Sequence, residues 1–387
     1  MDDTPFRLRL VTGLSDVSKP AWDTLANPEG LAFDPFLSWD FLEAMESSGA
    51  ARPETGWSPC HLLLEGAGDT LLAAMPLYAK THSRGEFVFD HGWADAFERA
   101  GGRYYPKLLS AVPFTPVTGR RRLIRPGPEA ERLESALLMG AVQVAEQNEF
   151  SSLHLNFIQP EEASKLEGDN LLIRTDQQFH WANNGYESFD DFLAVLSSAK
   201  RKNLRKERAK AQAGLQFAHL TGDDITEAHW DAFYAFYIDT GSRKWGTPYL
   251  TRESFSLLGQ RMAEHLLLIF AMEDDTPIAG ALNLIGSHTL YGRYWGCIEP
   301  RPMLHFETCY YQAIDFAIAR GLQTVEAGAQ GGHKLARGYG PVTTYSAHWI
   351  AHPGLRDAIG DYLERERQAV AQEQDYLQQR TPFKKNV

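Results

Sequence analysis

The segment Glu326-Ala-Gly-Ala-Gln-Gly-Gly-His-Lys334 sets three glycines beside a carboxylate, an imidazole and an ammonium, with Arg337 and Tyr339 close behind. Glycines permit positive φ and let backbone amides approach a bound group, so the segment reads as an anion nest or substrate loop as readily as a tight turn. It is not a Walker A loop, which needs Gly before its Lys and Ser or Thr after it, whereas His333 and Leu335 stand there. Upstream, Leu290-Tyr-Gly-Arg-Tyr-Trp-Gly296 alternates so that Tyr291, Arg293 and Trp295 share one face of a strand. Its two glycines predict a bulge or a close approach of a ligand to the backbone. His305-Phe-Glu307 has the His-x-Glu of a zinc deaminase, but the required Pro-Cys-x-x-Cys is missing. On a helix His305, Glu307 and Cys309 point apart, so no metal site is expected.

Two further constellations carry charge. Thr240–Tyr249 reads as a loop through Gly241, Gly246 and Pro248, and it presents Arg243, Lys244 and Trp245 either to a substrate or to a neighbouring domain. Lys200–Lys210 packs seven basic residues and one acid; it carries +6 in a chain of net charge −12, so the remainder carries −18. On a helix Lys202 and Lys206 form one stripe and Arg205 joins the next. That face is either solvated or an anion site for the phosphates of a nucleotide-linked substrate, coenzyme A or RNA.

The elements that must hold these groups read as alternating strands and helices, an α/β or α+β chain rather than a bundle or sandwich. Helices are predicted over 189–213, 225–240, 304–320 and 357–379, and strands over 215–220, 265–271, 277–286, 289–296 and 324–326. The chain has 387 residues with 43% apolar and 23% charged, enough for two or three packed domains and unlike a disordered chain. Its acidic balance repels nucleic acid and anionic lipid except at a local patch. Three cysteines build no disulfide framework, and no apolar run is long enough for a signal or a membrane span, so the expected compartment is the cytoplasm. Leu71–Leu77 aligns with Ile278–Leu284 at an offset of 207, Tyr104-Tyr105 with Tyr310-Tyr311 at 206, and Trp39 with Trp230 at 191. Nearly constant offsets predict two copies of one α/β unit. The expected division is 1–170, 171–352 and a C-terminal helix and tail over 353–387.

Trp181-x-Asn183, the Arg201–Arg205 helix, Trp245-Gly-x-Pro-Tyr249, Tyr291–Gly296, His305-Phe-Glu307 and Gly328–Lys334 together resemble the FemAB-like family of the GNAT acyltransferase superfamily. The resemblance implies a tandem pair of GNAT-like domains with mixed sheets flanked by helices, and acyl or aminoacyl transfer to an amine. It further implies that strands 289–296 and 324–326 splay, with a backbone amide holding the oxyanion. Glu326 is then the expected base and His333 its competitor. Arg243, Lys244, Arg293, Lys334 and Arg337 would meet anionic groups, while Tyr291, Trp295 and Tyr339 shape the pocket or donate a proton; Trp245, His305 and Glu307 complete the expected substrate contacts. Lys202, Arg205 and Lys206 form the expected anion-binding helix. Acyl-CoA is the donor the superfamily implies, yet Glu299-Pro-Arg-Pro-Met-Leu304 lacks its glycine-rich pyrophosphate loop. The long helical arm of transfer-RNA-dependent ligases is also not visible, so tRNA is an unfavoured partner. The competing readings are a non-catalytic ligand- or RNA-binding protein and a peptidoglycan-precursor aminoacyl ligase.

Overall fold

The computed structural model describes residues 6–169, 171–244, 248–328 and 331–384. The chain forms two compact units, unit 1 from 1–176 with 343–371 and unit 2 from 177–342 with 372–387.

In chain order the first half contains β1 (Arg7–Val11), α1 (Lys19–Ala26), α2 (Trp39–Ser47), β2 (Trp57–Pro59), β3 (His61–Glu65), β4 (Leu71–Met75), β5 (Tyr78–Lys80), α3 (His91–Arg99), β6 (Lys107–Ser110), β7 (Leu123–Ile124), α4 (Ala130–Gln147), β8 (Ser152–Ile158) and α5 (Pro160–Gly168). The second half contains β9 (Leu172–Ala182), α6 (Phe189–Val195), α7 (Ser198–Ala211), β10 (Gln216–Leu220), α8 (Glu227–Lys244), α9 (Arg252–Met262), β11 (Leu266–Glu273), β12 (Thr276–Ile285) and β13 (Thr289–Cys297). After these come α10 (Leu304–Phe306), a π-helical turn (Glu307–Tyr311), α11 (Gln312–Ala319), β14 (Thr324–Glu326), β15 (Gly340–Ile350) and α12 (Pro353–Gln378).

The two units repeat one plan. A first strand (β1; β10) leads to two helices (α1, α2; α8, α9), then to an antiparallel hairpin (β3–β4; β11–β12), then to a parallel pair reached through a helix (β6–β8; β13–β14). In unit 2 the order is β10-β11-β12-β13-β14-β9, antiparallel except between β13 and β14. Unit 1 has a sheet β1-β3-β4-β7 and a run β2-β5-β6-β8-β15, antiparallel in its described pairings except between β6 and β8. Of the three offset matches, the strand segments coincide in role, since Leu71–Met75 and Ile278–Leu284 are both return strands of a hairpin. Tyr104-Tyr105 precedes a strand whereas Tyr310-Tyr311 lies in the π-helical turn, and Trp39 opens α2 whereas Trp230 lies within α8.

Each core is built from local periodicity. In α4, Leu133, Leu137, Ala141 and Ala145 recur at i, i+4 and pack on Leu62, Leu64, Leu153 and Leu155. In unit 2, Ala313, Ile314 and Ala317 of α11 cover Leu267, Ile269, Leu290 and Val325.

Three expectations change. The helix predicted over 189–213 breaks at Leu196, which is buried, extended (φ −78, ψ 154) and bridged to Phe383 before α7 begins. The loop predicted from Thr240 is helical as far as Lys244, because Trp230, Phe233 and Phe236 bury one face of α8 and override the helix cost of Gly241, about 1 kcal/mol. The expected span 171–352 does not stay together: Thr343–Ala371 belongs to unit 1, where β15 pairs with β8. Every residue of β8 is buried, so both its edges need a hydrogen-bonding neighbour.

Candidate active site

The parallel ladder between β13 and β14 covers only Thr289–Tyr291 opposite Thr324–Glu326. β14 ends there, while β13 continues to Cys297 against β12. Past Tyr291, alternate backbone groups of β13 therefore face away from β12 toward the open edge. The β12–β13 register shifts so that Leu282 faces Tyr294 and Asn283 faces Gly292, which leaves Arg293 as a bulged residue. This is the bulge that the two strand glycines predict. Gly292 lets the carbonyl of Glu326 approach, since an added Cβ would lie 3.2 Å from it. Gly296 admits the backbone of α8, because a Cβ there would come within 2.2 Å of Phe236. The close approach is thus made by protein.

Turned by the bulge, the Arg293 side chain is withdrawn from solvent and donates from Nη2 to Glu326 Oε2 at 2.9 Å and from Nη1 to the Gly292 carbonyl at 2.9 Å. Glu326 stands opposite His180 across β14–β9, with Oε1 3.8 Å from His180 Nε2. Burial lowers the His180 pKa, Glu326 opposes that, and Arg293 and Lys334 add to it.

A cavity of about 90 Å³ opens beside this pair, lined among others by Asn283, Arg293, Trp295, His305, Cys309 and Tyr310. The His305 ring lies 5.2 Å from Trp295 and 5.4 Å from Tyr310, forming an aromatic wall. Asn283 is fully buried, and its amide donates to the carbonyls of Leu267 at 3.3 Å and Ala281 at 3.4 Å. Its Oδ1 has no hydrogen-bond partner among the described residues, which leaves an acceptor beside the cavity.

The glycine-rich segment closes as a 3-10 turn, Gly332–Arg337. His333 Nε2 shares a hydrogen bond with the Tyr310 hydroxyl at 2.9 Å. Its pKa is lowered by burial, then by Arg337 and Lys334, so the imidazole is neutral near pH 7. Lys334 is buried and donates to the Gly328 carbonyl at 2.7 Å. Burial first and Arg293 second pull its pKa down to about 7, against the opposing pull of Cys309 and Glu326. Arg337 ties the turn to α7: it donates to the His333 carbonyl at 2.8 Å and to Glu207 Oε2 at 2.8 Å, and lies 3.4 Å from the Phe306 ring centroid.

Of the expected set, Arg293, Trp295 and His305 line the cavity, Tyr291 and Glu326 adjoin it through Arg293, and the neighbouring turn carries His333, bonded to the lining Tyr310, with Lys334 and Arg337. The site does not gather the rest of the expected set. Glu307 is buried at the π-helical turn and its carboxylate is filled by Arg208, Gln212 and Gln312, which makes it an anchor for α7 rather than a substrate contact. Tyr339 is fully buried against Tyr310, its hydroxyl donates to the Tyr310 carbonyl at 3.5 Å, and it does not line the cavity. Lys202, Arg205 and Lys206 are exposed on α7, with Arg205 paired to Asp190 at 2.8 Å. Trp245 lies outside the described residues, as do the side chains of Arg243 and Lys244 at the end of α8. Asn283 and Glu207 were not anticipated; an Asn amid Ala-Leu-Asn-Leu-Ile and a lone acid in a basic helix were the available signals.

The approach to α10 carries two prolines without N–H groups and Arg301, which is bound to Glu273 at 2.9 Å and Glu299 at 2.7 Å. These residues do not fit the pyrophosphate of coenzyme A, which needs amides and positive charge at that position. Among the described residues, no group of three His, Cys, Asp or Glu side chains is arranged to hold a metal ion, and no helix is long and apolar enough to cross a membrane.

A model of the FemAB-like family, described as peptidoglycan biosynthesis/recognition, matches residues 13–385. The fold is similar to the crystal structure of FemX, with TM-score 0.54 and 11% identity over 91% of this chain and 100% of that one. It is also similar to a tandem GNAT protein from the clavulanic acid biosynthesis pathway (0.47, 11%, 90% and 99%) and to L-PGS from Bacillus licheniformis (0.49, 10%, 87% and 98%). No protein of curated function matches the sequence. The chain shares its fold with FemX, built here as two units of one repeated α/β plan.

Proposed function

We propose that this chain, which belongs to the FemAB-like family, is a transferase that moves an acyl or aminoacyl group from an activated ester or thioester onto an amine of an anionic, peptidoglycan-precursor-like substrate. The observation that carries this reading is the early end of the β13–β14 ladder at Tyr291 and Glu326, next to a cavity with polar groups. The amine nitrogen attacks the carbonyl carbon, charge builds on the carbonyl oxygen, and the alcohol or thiol leaves as the C–O or C–S bond breaks. Backbone N–H groups of β13 past Tyr291, where the ladder to β14 has ended, stabilise that oxygen, and Lys334 in its charged form adds to them. Neutral His333 accepts the proton lost by the amine and Tyr310 holds its ring. Arg293 fixes the Glu326 carboxylate where it can orient the amine, and the free Asn283 oxygen accepts a hydrogen bond from a bound N–H.

The test is transfer from labelled acetyl-CoA and from an aminoacyl-tRNA pool to a nucleotide-linked peptidoglycan precursor, in wild type, Glu326→Gln and His333→Ala. Turnover in wild type with a loss of 10²-fold or more in both variants, at unchanged circular dichroism, is expected. Full activity in both would place the chemistry elsewhere.

A further inference from the structure

Helix α7 is two-faced, and its two faces are held by different physics. Of its fourteen residues only Leu204 and Ala211 are buried. The inner face is anchored by ions: Arg208 donates to Glu307 at 2.9 Å and to Asp315, and Glu207 accepts from Arg337 at 2.8 Å and from the Tyr311 hydroxyl at 2.6 Å. The outer face exposes Lys202, Arg205, Lys206 and Lys210. Arg205 has Asp190, while Lys202, Lys206 and Lys210 have no hydrogen-bond or ion-pair partner among the described residues. The three lysines stand at i, i+4 and i+8, a straight row about 12 Å long. Such a row repels itself, and little apolar burial on the other side offsets that cost.

The cations continue past the helix. The C-terminal segment lies against the start of α7, with Ser197 N–H donating to the Pro382 carbonyl at 3.0 Å and Lys384 N–H to the Val195 carbonyl at 3.0 Å. This brings Arg380 and the exposed Lys384 to the same end of the row, beside Val195, which is 36% exposed. The α7 face of the patch is lysine-rich and carries no aromatic side chain on which a base could stack. Lysine is a point charge without the planar fork that favours a specific phosphate. The segments outside Lys200–Lys210 together carry −18, so an anionic surface is attracted to this face more than to the chain's average surface.

We propose that the outer face of α7, with Arg380 and Lys384, docks the protein onto an anionic lipid surface. This binding stands independently of the transferase reading; if both hold, Glu207 and Arg337 link the docked helix to the turn that bears His333 and Lys334. The test is co-sedimentation of the full chain with phosphatidylcholine vesicles containing 30% phosphatidylglycerol, against phosphatidylcholine alone. Binding only to the anionic vesicles at low salt, lost in 0.5 M salt, is expected. Lys202→Gln/Arg205→Gln/Lys206→Gln should weaken partitioning about a hundredfold and Lys206→Gln alone about fivefold, since each basic residue near such a surface is worth about fivefold. Unchanged circular dichroism shows that the variants fold. No binding by wild type, equal binding by the triple variant, or tighter binding of duplex RNA than of the vesicles would each overturn the proposal. None of these outcomes depends on turnover.

Discussion

Both units place an ionisable cross-strand pair beside their parallel ladder, and they use it in opposite ways. In unit 2 Glu326 faces His180 across β14–β9, with Arg293 bonded to the carboxylate and a cavity alongside. In unit 1 His154 faces His348 across β8–β15, and the two Nδ1 atoms are 2.6 Å apart. That contact needs a proton on one Nδ1 and none on the other. Trp93 of α3 packs on both rings. Next to them Lys107, fully buried, donates to Ser83 at 2.8 Å, Glu86 at 2.7 Å and Asp90, while Tyr104 donates to Asp90 at 2.7 Å. A sealed set of charges must neutralise itself internally and becomes structural. One left at an open strand edge keeps groups available to a ligand. The same plan can therefore brace in one unit and react in the other.

The sharpest way to break this comparison is stability. Lys107→Met leaves Asp90 buried without its cation and Glu86 with only Lys80, 3.8 Å away, and should cost about 3–5 kcal/mol in denaturant unfolding. The matching change in unit 2, Lys334→Met, removes a cation bonded to one carbonyl. It should leave the unfolding midpoint nearly unchanged while lowering turnover about a hundredfold or more. A large stability loss in unit 2 with none in unit 1 would invert the assignment.

Acid separates the units less strongly. Burial first, then Lys107, pushes His154 down to about 3, and His348 is also held well below the usual range by burial and His154. In the unfolded chain both titrate near 6.5. Between about pH 6.5 and 3 the unfolded state binds more protons, so stability falls on acidification, by up to about 1.4 kcal/mol per pH unit for each imidazole. His154→Gln should flatten that slope in unfolding measured from pH 7 to 4. A slope unchanged by the substitution would remove the dyad from the account. The smallest effect is expected at the exposed Arg205–Asp190 pair, where Arg205→Ala should leave the thermal midpoint unchanged.

Much of the framework was legible along the chain. Thr324–Glu326 reads as a strand to the residue, and β10 to β13 read as strands to within a residue or two, because apolar alternation and glycine punctuation are local signals. The glycines at 292 and 296 announce the bulge for the same reason, whereas the close approach they permit is made by protein backbone and not by a ligand. The tandem α/β plan followed from one strand repeated at an offset of 207. The grouping of His333, Lys334 and Arg337 needed no tertiary knowledge, since one turn carries all three.

What folding alone settled is which charges meet. Glu307 and Glu326 are the same residue type in similar polar contexts, yet one is filled by Arg208, Gln212 and Gln312 and the other stands at an open edge beside Arg293. Glu207 sits in a run of cations and turns inward to hold Arg337, 130 residues away. β15 crosses to unit 1 because β8, buried along its length, requires a second hydrogen-bonding partner. Periodicity and turn chemistry are written within a few residues, so they survive in the sequence. Partner choice for a buried charge or a strand edge depends on desolvation, which exists only once distant segments have packed together.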